Sequence, residues 1–250
     1  MQFYATFAAA VVLSLTHILA GKLRFVSAVP RSGWLSLAGG ASVAYVFVHI
    51  LPELSRQQAP LQQALASAAG FLEHHVYLIA LAGLAVFYGL ERLAKRSRQK
   101  NREAGAEDEP NARVFWLHIG SFAAYNGLIG YLLVHREQPG LASLALFALA
   151  MLLHFVVNDF GLREHYRRDY DRIGRWVVAV PVWIGWLIGW TTEIHPAMVA
   201  VLFAFLAGGA ILNILKEELP AERQSRFLPF LAGAVVYTLA NVALARHGAK

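Results

Sequence analysis

Three polar side chains interrupt one of the long apolar runs of the chain, "ALAMLLHFVVNDFGLREHY" (Ala148–Tyr166). His154 and Asn158 are four residues apart and share a helical face, whereas Asp159 lies roughly 140° further round the axis from His154. A neutral imidazole with oxygen ligands nearby suits a divalent transition metal. The pattern favours a metal site. The alternative is a set of hydrogen bonds between helices, with Asp159 bound to Arg163 at the membrane edge.

A second apolar block carries His118 and Asn126, which are eight residues apart and also share a helical face. A helix rises ~1.5 Å per residue, so His118 lies roughly 7 Å beyond Arg113, the basic residue that precedes this block. The same reasoning places His118 at a depth between those of Asn158 and His154. If the two blocks are neighbouring helices, we expect His118 to face that pair.

The elements that must position these side chains are apolar blocks. The chain of 250 residues is 57% apolar and 15% charged, whereas soluble proteins are roughly 25% charged. Most of the blocks are near the ~20 residues that a membrane helix needs, and lipid leaves backbone polar groups no partner outside the helix. The eight blocks are Phe3–Ala20, Trp34–Leu51, Leu72–Leu90, Val114–Val134, Gly140–Phe160, Trp176–Trp190, Met198–Leu215 and Phe227–Leu244. The sequence therefore predicts an all-α, polytopic membrane helix bundle with eight transmembrane helices in a single domain, residues 1–250.

Positive charge is concentrated in alternate connections between the blocks. Of the 22 lysines and arginines, 18 fall in four of these connections. The four connections are Gly21–Gly33, Glu91–Arg113, Leu162–Arg175 and Lys216–Arg226. By the positive-inside rule these loops are cytoplasmic and both termini are outside. The net charge of +6 therefore indicates topology in a lipid bilayer rather than binding to nucleic acid.

Residue composition also predicts properties of one loop and of the contacts between helices. The longest connection, 91–113, is basic and then acidic, which predicts a flexible cytoplasmic loop. Glycines within the blocks, among them Gly40, Gly120, Gly130 and Gly208, predict close helix packing. The chain has no cysteine, which excludes disulfides and thiolate metal sites.

Taken together, these features resemble the ZIP family of divalent metal transporters over most of the chain. Members of that family have eight spans, both termini outside and a variable cytoplasmic loop between spans three and four. Their second span often ends in His-x-x-Pro-Glu, here "HILPE", and their seventh in an acid–Pro–acid phrase, here "EELPAE". The resemblance implies a metal path that starts near His49 and Glu53 and leaves past Glu217 and Glu218.

The metal-binding motifs of the two central spans are only partly kept. Where the family typically has His-Asn-x-x-Asp-Gly, this chain reads "FAAYNG", with Phe122 in the place of the His and Asn126 in that of the Asp. Where the family has His-Glu-x-x-His/Glu-Glu, it reads "HFVVND", with His154 kept, Asn158 replacing the second ligand and Asp159 standing for the later acid. Fewer carboxylates leave a dication less compensated in a low-dielectric site. The implied reduced metal site consists of His154, Asp159, Asn158, Asn126 and His118.

The resemblance implies transport of a divalent metal ion (zinc, iron or manganese, as substrate) towards the cytoplasm across a cell (inner) membrane, with a possible homodimer. One alternative is a non-transporting ZIP-like protein that senses metal or binds a partner, which the missing acids favour. Another is an intramembrane zinc hydrolase built on His154, Asp159 and either His118 or His165. Such a site needs about three ligands and a general base. The chain has no HExxH motif, and we therefore expect no enzyme.

Overall fold

Every regular element in the described part of the chain is helical. The computed structural model describes residues 1–19, 33–65, 75–105, 110–136, 140–218 and 226–248. The helices are α1 (Gln2–Leu19), α2 (Gly33–Tyr45), α3 (Leu51–Arg56), α4 (Gln58–Leu65), α5 (His75–Glu103), α6 (Ala112–Val134), α7 (Leu141–Asp169), α8 (Arg175–Thr191), α9 (Pro196–Glu218) and α10 (Phe227–Gly248). Two π-helical turns connect neighbours, Val46–Ile50 between α2 and α3 and Tyr170–Gly174 between α7 and α8.

Long apolar helices dominate the fold. Among the described residues, six helical stretches are long and apolar enough to cross a membrane, and a shorter apolar helix covers Phe227–Ala243. Large apolar side chains are exposed along them, as for Leu81 (60%) and Val236 (63%). The predicted all-helical class is therefore confirmed for the described residues, and the helices suggest a membrane-spanning protein. The fifth and sixth predicted blocks lie in one 51-residue helical stretch, Leu141–Thr191, which is kinked where Arg167 has φ 27°.

Helix α5 is longer than the sequence predicts. We expected the third span to end at Leu90 and residues 91–113 to be a flexible loop, but the helix continues to Glu103. The continuation is rich in Arg, Lys and Glu, which are good helix formers. Its apolar side also packs, since Ala94 is fully buried. Because α6 begins at Ala112, the first part of the predicted loop is helix and only a short connection separates the two.

Three helix pairs, α2 with α10, α5 with α9 and α6 with α8, approach so closely that their backbones touch at glycines. A Cβ added at Gly83 would lie 1.8 Å from the carbonyl oxygen of Phe205, and one added at Gly208 would lie 1.8 Å from that of Ala80. The other two pairs show the same reciprocal contacts between a glycine on one helix and a backbone carbonyl oxygen on the other. The glycine and the residue that supplies the carbonyl are Gly40 and Phe230, Gly233 and Leu37, Gly130 and Val182, and Gly185 and Gly127. Small residues permit such approaches in membrane bundles. The predicted packing role holds for these glycines, whereas Gly120 faces open space.

We expect Gly83→Ala to destabilise the protein by about 1–3 kcal/mol, because the new methyl group would overlap the backbone of α9 and force the helices apart. Gly89→Ala is the matched control on the same helix, since a Cβ there meets nothing within 4 Å. Because alanine has a higher helix propensity than glycine, Gly89→Ala should leave the stability of the protein unchanged or raise it by up to about 1 kcal/mol. Thermal unfolding of the two purified variants measures the difference. Equal melting temperatures would contradict the backbone contact.

Candidate functional site

The five predicted metal ligands fall into three separate groups. One group contains Asp159 and Asn126, a second contains His154 and Asn158, and the third contains His118. The rotation of roughly 140° between His154 and Asp159 directs the two side chains to different neighbours of α7. Within the described residues, no group of three or more His, Cys, Asp or Glu side chains is arranged to hold a metal ion.

The carboxylate of Asp159 lies in a buried hydrogen-bond network. His17 Nδ1 lies 2.8 Å from Asp159 Oδ1 and 3.0 Å from Oδ2, and the Tyr170 hydroxyl donates to Oδ1. The amide nitrogen of Asn126 donates to His17 Nε2 (2.9 Å) and to the Val178 carbonyl (2.7 Å). The network ties α1, α6, α7 and the second π-helical turn together, and it occupies both nitrogens of His17.

Two partners in this network could not be assigned from the sequence. His17 is an ionisable residue near the end of an apolar block, which marks it as a candidate but does not name its partner. Tyr170 lies in the predicted loop Leu162–Arg175 and carries no signal of its own. Arg163, the alternative partner considered for Asp159, donates to Asp171 at 2.9 Å.

The second group lies on the opposite side of α7. His154 and Asn158 share a helical face as predicted, and the Asn158 amide nitrogen lies 2.9 Å from His154 Nε2. Asn213 of α9 donates to Asn158 Oδ1 at 3.2 Å. The His154 ring also lies beside Tyr125, with 5.2 Å between ring centroids. Its polar neighbours in these contacts are therefore all uncharged.

The third group lies at the end of the bundle where α5 carries Glu91. His118 Nδ1 is 2.8 Å from the Tyr166 hydroxyl. Glu91 bonds to His165 Nε2 at 3.0 Å and to Lys216 Nζ at 3.1 Å. Lys95 makes a further ion pair with it at 3.3 Å. Nothing in the sequence marks Glu91 as a site residue, because it falls in the predicted loop 91–113.

A cavity of about 10 Å³ lies beside these groups, and we name it the Glu91 cavity. It is lined by Glu91, His118, Phe122, Asn158, Gly161, Leu162, His165, Asn213 and Lys216. That volume holds about one water molecule. The side chains of Glu217 and Glu218, the predicted exit residues, lie outside the described part of the structure.

The predicted phrase "HILPE" is found at the other end of the bundle. Pro52 has no N–H for the usual helical bond, and next to it the Leu51 N–H bonds to the Val46 carbonyl, five residues back. Within this turn His49 Nδ1 lies 3.2 Å from Asn241 of α10. Glu53 accepts hydrogen bonds from Arg56 and Gln57, so both predicted entry residues already have partners in the protein.

A cavity of about 100 Å³ opens beside Glu53, and we name it the Glu53 cavity. It is lined by Tyr45, His49, Ile50, Glu53, Arg56, Gln57, Leu132, His135, Arg136, Ser143, Phe147, Val199 and Phe203. Burial lowers the pKa of the Arg136 guanidinium below its ordinary range. An apolar cavity of about 30 Å³ shares several of these walls and continues towards Tyr125 and Met151.

The three cavities are lined by one face from each of three helices, and we name these three faces together the column. The α7 face consists of Ser143, Phe147, Met151, His154, Asn158, Leu162 and His165. The α9 face consists of Val199, Phe203, Ala207, Ala210, Asn213 and Lys216. The α6 face consists of Leu132, Ile129, Tyr125, Phe122 and His118. From Ser143 to His165 the helix rises roughly 33 Å, close to the ~30 Å thickness of the hydrocarbon core.

No model of a known protein family matches this chain, and no curated protein and no solved structure gives a match to it.

We expect His17→Ala to destabilise the protein by about 3–5 kcal/mol, because it leaves the buried Asp159 carboxylate short of a donor. The double variant His17→Ala/Asp159→Asn should recover part of that loss, since no uncompensated charge remains. Asp171→Asn is the control: its half-exposed ion pair is worth about 0–1 kcal/mol. Thermal unfolding followed by tryptophan fluorescence measures all three. If His17→Ala and Asp171→Asn had the same melting temperature, the network would not stabilise the fold.

Proposed function

We propose that this chain is a ZIP-like membrane transporter that moves a divalent metal ion (zinc, iron or manganese) towards the cytoplasm. The observation that carries the proposal is that α6, α7 and α9 line two cavities at opposite ends of the bundle, with the polar pair His154 and Asn158 on the same face of α7. A path of this length along a bundle of long apolar helices suits a transported solute. The proposal includes eight spans and both termini outside, for which the distribution of Lys and Arg is the support.

The residues of the column have separate roles in this proposal. Metal enters at the Glu53 cavity, where Glu53 supplies a carboxylate and His49 an imidazole. His154 binds it near the middle, after its bond to Asn158 opens to free the ring nitrogen. Glu91, at the Glu91 cavity, is the carboxylate nearest the cytoplasm among the described column residues. In this proposal, relative movement of the lining helices alternates the access to His154 from the two ends.

A non-transporting role is the second candidate, and a specific observation favours it. The described residues contain no metal-binding group of three or more His, Cys, Asp or Glu. The His154 group has only amide neighbours, which compensate a dication weakly. A ZIP-like protein of this kind would sense metal or bind a partner without moving the ion.

Uptake into proteoliposomes separates these candidates. We expect saturable uptake of zinc, iron or manganese by the purified chain, and a loss of at least tenfold in His154→Ala, because this substitution removes the imidazole near the middle of the column. His195→Ala is the matched control, since His195 is exposed and lies outside the column. Metal bound without flux into the vesicles would support the sensing role instead. Equal uptake by both variants would contradict a path through His154.

Phe122 offers a gain-of-function test of the same path. It lines the Glu91 cavity, and its ring lies 5.3 Å from that of His118. Phe122→His should add an imidazole there and tighten metal binding by at least tenfold, as measured by calorimetric titration of the purified protein. Phe115→His is the control, because Phe115 is equally buried on α6 but packs on Tyr166. No tightening in Phe122→His, or the same tightening in both, would count against a metal path at this level.

A further inference from the structure

The Glu53 cavity carries more positive than negative charge among the described residues that line it. These include two arginines, Arg56 and Arg136, and one carboxylate, Glu53. Both oxygens of Glu53 are already engaged: Oε2 accepts from Arg56 Nη2 at 2.7 Å and Oε1 accepts from Gln57 at 2.6 Å. The Glu53 charge is therefore matched by Arg56. Arg136 adds a second positive charge to the same cavity.

Arg136 has hydrogen-bonding capacity that the described part of the chain does not use. One of its terminal nitrogens donates to the Leu133 carbonyl. Its Nε is buried and has no hydrogen-bond partner in the described part of the chain. A guanidinium presents five N–H donors in a planar fork that matches the two oxygens of a carboxylate. A buried donor without a partner is costly, so an acceptor that reached this group from the cavity would be bound favourably.

The remaining walls of the cavity are mostly apolar. Phe147 and Phe203 line both the Glu53 cavity and the apolar cavity that continues from it, and Leu132 does so as well. The volume of about 100 Å³ has room for several water molecules or a ligand of similar bulk. A ligand that fits this surface has one anionic end and a small apolar body.

We propose that the Glu53 cavity is a binding site for a small organic monocarboxylate, whose carboxylate pairs with Arg136 and whose apolar body packs against Phe147 and Phe203. One guanidinium beyond the Glu53–Arg56 pair balances one negative charge, which favours a monoanion over sulfate or phosphate. The apolar walls disfavour small hydrated anions such as chloride, which would lose water without gaining contacts. This binding site does not depend on the transported ion.

The site has a consequence that rests on the proposed function. A dication that enters beside Arg136 is repelled by it, and the His154 group further along the column supplies no carboxylate. A bound monocarboxylate neutralises Arg136 and adds a metal ligand at the start of the path. Metal uptake should therefore rise when the monocarboxylate is present.

Calorimetric titration of the full-length purified protein, without metal, tests the binding site. Benzoate should bind saturably at one site, whereas benzamide, which has nearly the same shape but no charge, should bind at least tenfold more weakly. Arg136→Gln should weaken benzoate binding at least tenfold, since a charged pair is lost. Arg172→Gln is the matched control: it removes an exposed arginine that does not line the cavity, and should bind benzoate as the unchanged protein does.

Two further variants keep the test decisive if Arg136→Gln folds poorly. Arg136→Lys keeps the charge without the planar fork and should weaken benzoate binding less than Arg136→Gln. Phe203→Ala should weaken benzoate more than acetate, because only benzoate has a ring to pack there. Benzamide binding as tightly as benzoate, or full benzoate affinity in Arg136→Gln, would overturn the site. His154→Ala should lose metal uptake but bind benzoate as the unchanged protein does. The transport proposal and the carboxylate-site proposal can therefore fail separately.

Discussion

A negative charge that is almost completely buried in an apolar bundle constrains how four of its segments can be arranged. Asp159 is 1% exposed, and a carboxylate in such surroundings must be surrounded by donors. His17 and Tyr170 supply them, and Asn126 holds the far side of the His17 ring. Helices α1, α6 and α7 and the turn after α7 are therefore tied at one point. The same contacts withdraw Asp159 and Asn126 from His154, which leaves the middle of the column without a carboxylate.

The packing of the other helices around the Asp159 network depends on a different constraint. Helices gain little from the hydrophobic effect when lipid surrounds them, so close packing has to supply much of the association. At Gly83 and Gly208 the absence of side chains lets two backbones touch, and two other helix pairs use the same reciprocal contact. In each of the three pairs the contacted carbonyl belongs to the residue three positions before the partner glycine. These rigid pairs surround α7, which supplies a face of the column from Ser143 to His165.

Local features of this architecture were predictable from the sequence, and long-range ones were not. Apolar runs predicted helices, and the spacing of four predicted that His154 and Asn158 share a face, because both depend only on helical periodicity. The partner of Asp159 is 142 residues away in sequence, and no periodicity reports which helices are neighbours. The kink at Arg167 has no proline or glycine to signal it. The extension of α5 was missed because charged helix formers resemble a solvated loop until packing shows that Ala94 is buried.

In the proposed transporter, the distribution of charge along the column would limit which solutes can move through it. Glu53 and Glu91, at the two ends, are each paired with cations, and Arg136 adds positive charge at one of them. Between them His154 has only amide partners. A bare dication would cross this column without a compensating charge, which is unfavourable at low dielectric. In the proposed transporter, an anion held by Arg136 would change that balance at the start of the path. The two proposals are linked in this way: because the middle of the column has no carboxylate, a transported dication would need an accompanying anion to compensate its charge.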